Sequence, residues 1–457
     1  MNHALPRPVV GKPLPWTFPR PLDCVLDNGL RVQAFHLPGQ YIVTANVLLD
    51  APLSAEPRTQ EGVATLALRA CDEGTPGHPG ATLAEAIENQ GATLGGAASL
   101  WGSTLGVHAP ATRLEPALGL LAEILADPTY DDTDIARHVA LRLAEIGQVV
   151  ANPAGSAAWA IRAATSDAAS RASRPNGGLA ETVGPLTPVD VRAFHDRWWD
   201  PRTATVIIAG HLPQHFEQLL QATLGTWSPT VPEPPAPLHP NTLPAGRRRV
   251  WVVDHPEAVQ ADIRLGRMTP TRTDPAWPAA QVASIALGGS FGSRLNTVLR
   301  EKHGFTYGAS CSFTPSVAGA LFTAQASCRL DVAVEATCLA LETLDVARAP
   351  LTDAEASDAI AYAVGVAPLR YDTAEAVAAQ AGALAQAGLP ASWIDDYHEG
   401  LRAVTADRAT AVFAEWVDPA AVHLVLAGPA DALVEPLIRC GLDVAVVDAA
   451  GRPAGVA

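Results

Sequence analysis

Gly288-Gly289-Ser290-Phe291-Gly292-Ser293-Arg294-Leu295-Asn296-Thr297-Val298-Leu299-Arg300-Glu301-Lys302-His303-Gly304-Phe305-Thr306-Tyr307-Gly308 is the stretch whose reading decides the fold. It opens on a glycine cluster and continues as an amphipathic helix, with Leu295, Val298 and Leu299 on one face at three- and four-residue spacing. Gly304 stands where a helix C-cap is expected. Beyond it Phe305, Tyr307, Ser310, Ser312 and Phe313 fall at strand spacing. Arg300 and Tyr307 would then bring a helix-end guanidinium and a strand-start phenol to one cleft. That pair is the leading candidate site.

Outward from this stretch, the chain repeats itself. Phe194 to Gly210 reads Phe-His-Asp-Arg-Trp-Trp-Asp-Pro-Arg-Thr-Ala-Thr-Val-Ile-Ile-Ala-Gly, and Phe413 to Gly428 reads Phe-Ala-Glu-Trp-Val-Asp-Pro-Ala-Ala-Val-His-Leu-Val-Leu-Ala-Gly. One copy precedes a proline-dense segment, residues 228–246, and the other lies near the C-terminus. Two related α+β halves joined by a semi-rigid linker follow from this placement. The expected organisation is an extended arm over 1–20, one half over 21–227, the linker over 228–246 and a second half over 247–457.

Composition narrows the function. The 457 residues are 48% hydrophobic and 17% charged, enough to build more than one core. Thirty-one basic against 47 acidic residues leave a net charge of −16, which disfavours nucleic acid or an anionic membrane as the main partner. Six scattered cysteines without CxxC spacing read as reduced thiols, and no apolar run is long enough for a bilayer. A cytoplasmic location is the expectation.

Local patterns predict the elements. Asp27-Asn28-Gly29 between alternating runs predicts a hairpin, followed by a strand over Tyr41–Leu49. Gly62–Ala70 reads as a buried helix, and Thr82 with Glu85 as a capping box opening the next one. Small-residue strands over 92–108 and long helices over 113–126 and 132–149 come next. Thr187-Pro188-Val189-Asp190 opens a helix to Trp198, ahead of a strand over 203–209. The tandem Trp198-Trp199 reads as core packing. His36, His108, His138, His195 and His398 read as single surface or capping residues. His211 and His215 have helical spacing, but Pro213 spoils it as a metal site.

Together these fragments resemble the pitrilysin/insulinase-type zinc peptidases, in their short bacterial, mitochondrial-processing-peptidase-like branch. The resemblance spans most of residues 20–435. It rests on Asp27-Asn28-Gly29-Leu30-Arg31-Val32, on Glu61-Gly62-Val63-Ala64 with Gly74-Thr75, on Ser293-Arg294-Leu295, and on Leu299-Arg300-Glu301-Lys302 with Gly304 and Tyr307. It implies two halves, each an antiparallel sheet with helices on one face, enclosing a peptide-binding chamber. The family's zinc motif, His-x-x-Glu-His, would fall on the 62–74 segment, where this chain has Thr65, Leu68 and Arg69. Threonine is a poor zinc ligand, leucine cannot act as a base, and arginine is a fixed cation. Glu145 matches the third ligand and remains. One ligand cannot hold the metal, so no zinc is expected on this chain, and Arg69 is expected to pair with the orphaned, buried Glu145.

Arg300 and Tyr307 match the residues that, in this family, bind substrate carbonyls and donate to the developing oxyanion. The resemblance thus implies a non-catalytic, substrate-binding subunit of a heterodimeric zinc metallopeptidase, uncatalytic alone, whose partner carries His-x-x-Glu-His and the zinc. Alternatives are a metal-free scaffold, as in the core subunits of the cytochrome bc complex, a peptide-binding protein of the same fold, or a homodimer. From a different class, Gly288-x-Ser290-x-Gly292 fits a serine-hydrolase nucleophile elbow with His303 or His423 downstream, provided a strand precedes it. The peptide substrate, cleavage site and pathway are open at this level.

Overall fold

A computed structural model describes residues 15–238, 244–316 and 319–453. Residues 1–14 of the expected arm and 239–243 of the expected linker lie outside the described residues. The N-terminal strands are β1 (Leu22–Val25), β2 (Arg31–His36), β3 (Ile42–Leu49), β4 (Thr93–Ala98), β5 (Ser103–Pro110) and β6 (Thr205–Gly210). The C-terminal strands are β7 (Val250–Asp254), β8 (Gln260–Thr269), β9 (Ala309–Ser316), β10 (Gly319–Arg329), β11 (His423–Gly428) and β12 (Val444–Val447). They form two six-stranded sheets, ordered β1-β2-β6-β3-β5-β4 and β12-β7-β11-β8-β10-β9.

The internal repeat has a structural meaning. Its Ala-Gly strand ends are β6 and β11, and each is third in its sheet. Each runs antiparallel to one neighbour (β3 or β8) and parallel to the other (β2 or β7). The sheets are therefore mixed, where purely antiparallel ones were expected. The chain leaves β2 or β7, builds the other strands and several helices, and only then returns with a strand laid parallel beside its start. The halves differ at one edge. β1 joins β2 as the Asn28-Gly29 hairpin, with Gly29 at φ 88°, whereas β12 arrives last and pairs parallel to β7.

Helices Val63–Ala70, Leu114–Ala126 and Pro188–Trp198 contribute to the core of the first half, and Trp277–Ser284, Ala333–Leu344 and Ala406–Trp416 to that of the second. The opposite sheet faces are also dry along their central strands, while β4, β9 and β10 keep exposed residues. Residues of β6 and β11 are buried almost without alternation, the mark of a strand covered on both sides. The cover comes from the other half. Ala157, Ala160, Ile161 and Ala164 of helix Pro153–Thr165 pack on Val253, Val425 and Ala427 of the second sheet. Val377, Ala378 and Ala381 of helix Ala374–Gln386 pack on Phe35, Leu48 and Ile207 of the first. Each half thus lends a small-residue helix to its counterpart, which locks the two together. The expectation of helices on one face is extended accordingly.

Local signals resolve in detail. The helix opens at Thr187 as expected, with Pro188 in the first turn, and Thr187 and Asp190 form a capping box there that the sequence reading did not name. The helix at Ala81–Asn89 differs: Gly80, at φ 55°, is its N-cap, so Thr82 lies inside and its hydroxyl donates back to the Pro79 carbonyl at 2.7 Å. Trp199 is buried as expected, its ring 4.7 Å from that of His195 at a tilt of 50°. His195 is itself a core residue, its ring nitrogen 3.1 Å from the Leu125 carbonyl, and His138 and His398 are likewise buried. The surface reading of these three is corrected: His195 and His398 lie against aromatic rings and His138 pairs with Glu73 at 2.7 Å, contacts that the local sequence does not reveal.

Candidate functional site

The focal stretch folds as a helix between two constraints. Leu295 and Leu299 are buried in the second core, with Val298 packed against it. Over Asn296–Lys302 the helix is wound in wide π-type turns, as is the Ile285–Gly289 turn before it. Gly304 closes it at φ 64°. The Phe305 N–H donates to Leu299 O at 2.8 Å and the Gly304 N–H to Arg300 O at 3.0 Å, each reaching one residue further back than in a Schellman cap, in keeping with the wide π-type turns. Nothing lies within 4 Å of a Cβ added at Gly304. Gly304→Ala is therefore expected to cost only the left-handed backbone term, about 1–2 kcal/mol, read from urea unfolding.

Arg294 anchors the start of this helix. Its Nε and Nη2 fork onto Glu355 at 2.5 and 2.7 Å, and further bonds reach the Ala349 and Pro350 carbonyls. The Arg294 bonds hold the Glu355 carboxyl well down, at about 2. Arg300 and Tyr307 are positioned differently. The Arg300 guanidinium lies 4.3 Å from the centre of the Phe291 ring, a cation–π contact, and 3.6 Å from Glu301. Tyr307 stands in the turn before β9 rather than on the strand, is 96% exposed, and has no hydrogen-bond partner among the described residues. No bond joins the two side chains; both are presented outward.

On the other half, Leu68 is buried in the core while Thr65 and Arg69 are partly exposed on helix Val63–Ala70. The expected pair is present: Arg69 Nη1 lies 2.8 Å from both Glu145 oxygens, and Arg142 Nη1 adds a third bond at 3.0 Å. Arg69 above all holds the Glu145 carboxyl below its ordinary range. The side chains are 38% and 40% exposed, so Glu145 is not the buried group expected, and the pair is worth at most about 1 kcal/mol. Two guanidinium groups occupy the oxygens a metal would need. These residues do not fit zinc, and among the described residues no three His, Cys, Asp or Glu side chains cluster as metal ligands.

Sequence reading missed the network behind this helix. Glu56, buried, accepts from the Gly62 and Ala64 N–H groups at 3.0 and 3.1 Å and so caps the helix from a distance. Arg171 forks onto its other oxygen at 3.1 and 2.9 Å, and Arg174 onto Glu61 at 2.8 Å. The one signal was two arginines in a loop rich in Ala, Ser and Gly.

The serine-hydrolase reading fails on context. Helix Trp277–Ser284 and the π-type turn lead into Ser290, so no strand precedes it. His303 is exposed against Phe305, and His423 is buried in β11, accepting the Arg249 N–H at 3.2 Å. Burial, with Arg249, Arg248 and Arg267 nearby, brings the His423 pKa down to about 4. A neutral buried histidine favours the folded state above its unfolded pKa near 6.5, and that contribution is lost as pH falls toward 4. Urea midpoints are expected to drop across this window, and less steeply in His423→Gln.

Comparison with known proteins now decides the family. A model of "Insulinase (Peptidase family M16)" matches residues 31–174, and one of "Peptidase M16 inactive domain" matches residues 185–362. The chain belongs to the M16 (insulinase) peptidase family. Among M16 relatives, an uncharacterized zinc protease of Streptomyces coelicolor is 28% identical over 310 residues, 66% of each chain. One of Mycobacterium tuberculosis is 27% identical over 342 residues, 73% of this chain and 76% of that one. A crystal structure described as a peptidase M16 inactive domain from Pseudomonas fluorescens superposes with a TM-score of 0.81 at 22% identity, covering 90% of this chain and 98% of that one. At such identity the likeness shows the fold alone. Among the described residues no helix is long and apolar enough to cross a membrane.

Proposed function

We propose that this M16 chain is the non-catalytic, substrate-binding subunit of a heterodimeric zinc metallopeptidase. The observation that carries the proposal is a contrast between the halves. On the first, Arg69 and Arg142 occupy Glu145 where the family would bind metal. On the second, Arg300 and Tyr307 are outward-facing donors with no carboxylate fork or hydroxyl bond tying them down. A scaffold has no need of a free phenol there. In the assembly, Arg300 would bind carbonyls of the peptide and Tyr307 would donate to the oxyanion, while the partner would supply His-x-x-Glu-His and its zinc. Six unpaired cysteines suit a reducing compartment, and the cytoplasm is proposed on that ground.

The test is assembly. The tagged chain, co-expressed with an M16 protein that carries His-x-x-Glu-His and is encoded beside it, should elute as a one-to-one complex by light scattering. A stable self-dimer that ignores that protein would overturn the heterodimer and favour the scaffold reading.

A further inference from the structure

Where the halves meet there is a cavity of about 280 Å³. Ser99 and Trp101 from the β4–β5 turn line one side, Met268 of β8 and Thr314 of β9 the other, and Arg162 and Ser166 from the end of helix Pro153–Thr165 close it. Arg162 is the unusual member. Its Nη2 donates to Asn176 Oδ1 at 2.9 Å, and among the described residues its guanidinium has no other acceptor and no carboxylate partner. The nearby acids are taken, Glu56 by Arg171 and Glu61 by Arg174. Burial first, and Arg171 second, lower the Arg162 pKa to about 10, so it keeps its charge at neutral pH. A largely desolvated cation without a counter-charge, half-buried at the mouth of a partly open cavity, is costly, and that cost falls when an anion arrives.

The guanidinium is also held in place. Asn176, which orients it, accepts from Arg171 Nη2 through its own carbonyl at 2.9 Å, and its amide reaches Ala98 O at 3.4 Å. Arg171 in turn is fixed by Glu56. The anchor is thus wired to the cap of the Val63–Ala70 helix. We infer that Arg162 is the anchor of a carboxylate-binding subsite between the two halves, accepting a peptide's C-terminal carboxylate or an acidic side chain. A single fork matches a planar monoanion, whereas a phosphate dianion would leave one charge uncompensated in a largely apolar cavity. The volume lies just below the usual range for small-molecule pockets, about 300–1,000 Å³, which suits one end or one side chain of a peptide. The peptide occupant rests on the substrate-binding role proposed above; the anion site does not need the partner.

Calorimetric titration of the full chain with N-acetyl-Ala-Ala-Ala, its C-terminal amide and N-acetyl-Ala-Glu-Ala-amide tests the inference. The free acid, the glutamyl peptide or both should bind at least about tenfold more tightly than the amide, and the preferred one identifies the source of the carboxylate. Arg162→Gln should erase the difference and Arg162→Lys restore part of it. Equal binding of all three peptides, or none at millimolar concentration, would overturn the subsite. The comparison is made first on the unaltered chain, so misfolding of a variant cannot mimic that result. The titration is made on this chain without partner or zinc, so loss of carboxylate preference sinks the subsite alone, whereas failure of the catalytic-complex reading leaves the preference in place.

Discussion

Replacing Tyr307 by phenylalanine is expected to lower kcat of the assembled peptidase by about 10²–10³-fold, with a smaller change in KM. Donors aimed at developing negative charge contribute on that scale, because they act in the transition state rather than in the ground state. The substitution is clean. Tyr307 is 96% exposed and has no bond among the described residues, so loss of the hydroxyl should leave folding and assembly untouched. Arg300→Ala is expected to act differently, raising KM as well, since a guanidinium that holds substrate carbonyls contributes before the transition state. Arg300 rests on Phe291, and Arg300→Lys would keep the charge while losing the planar stack. Steady-state kinetics of the complex with each variant checks both. Wild-type kcat in Tyr307→Phe would remove the phenol from the chemistry.

The second large effect concerns stability. Arg171→Ala would strand the Glu56 carboxylate, whose side chain has no solvent exposure, between two backbone N–H groups. Breaking a buried ion pair from one side costs about 3–5 kcal/mol, and Glu56→Ala is expected to fall at the lower end, because Arg171 keeps a longer contact to Glu61 at 3.8 Å. Replacing both partners with apolar residues of similar volume should cost much less, because no charge is then left buried. Urea unfolding of the three variants gives the ordering directly. Since Glu56 caps the helix that carries Thr65, Leu68 and Arg69, and Arg171 holds Asn176, the single variants should also loosen the wall of the inter-half cavity.

How much of this was legible in the sequence depends on how local the cause is. The Asn28-Gly29 hairpin, the helix start at Thr187-Pro188 and the Gly304 cap are set by residues a few positions apart, and each formed. The repeat ending at Gly210 and Gly428 gave the pseudo-symmetry, because equivalent strands in two sheets keep equivalent patterns. The exchange of helices between halves was not read, although its trace was present: Val206-Ile207-Ile208-Ala209 and Leu424-Val425-Leu426-Ala427 do not alternate, and a strand that does not alternate has no wet face. At the site, Arg69–Glu145 followed from two family positions 76 residues apart. Its exposure did not, since the periodicity of one helix says little about what covers it. The Glu56–Arg171 contact joins two residues outside the long helices and strands, and Arg162–Asn176 joins a helix end to a loop, so neither has a periodic signal and only the folded chain brings the partners together.

The most direct test of the central claim is zinc content together with peptidase activity, measured on this chain alone, on its His-x-x-Glu-His partner alone, and on the mixture. The account predicts no stoichiometric zinc and no activity for this chain, zinc on the partner, and turnover only in the mixture. Stoichiometric zinc on this chain with activity in the absence of any partner would contradict it.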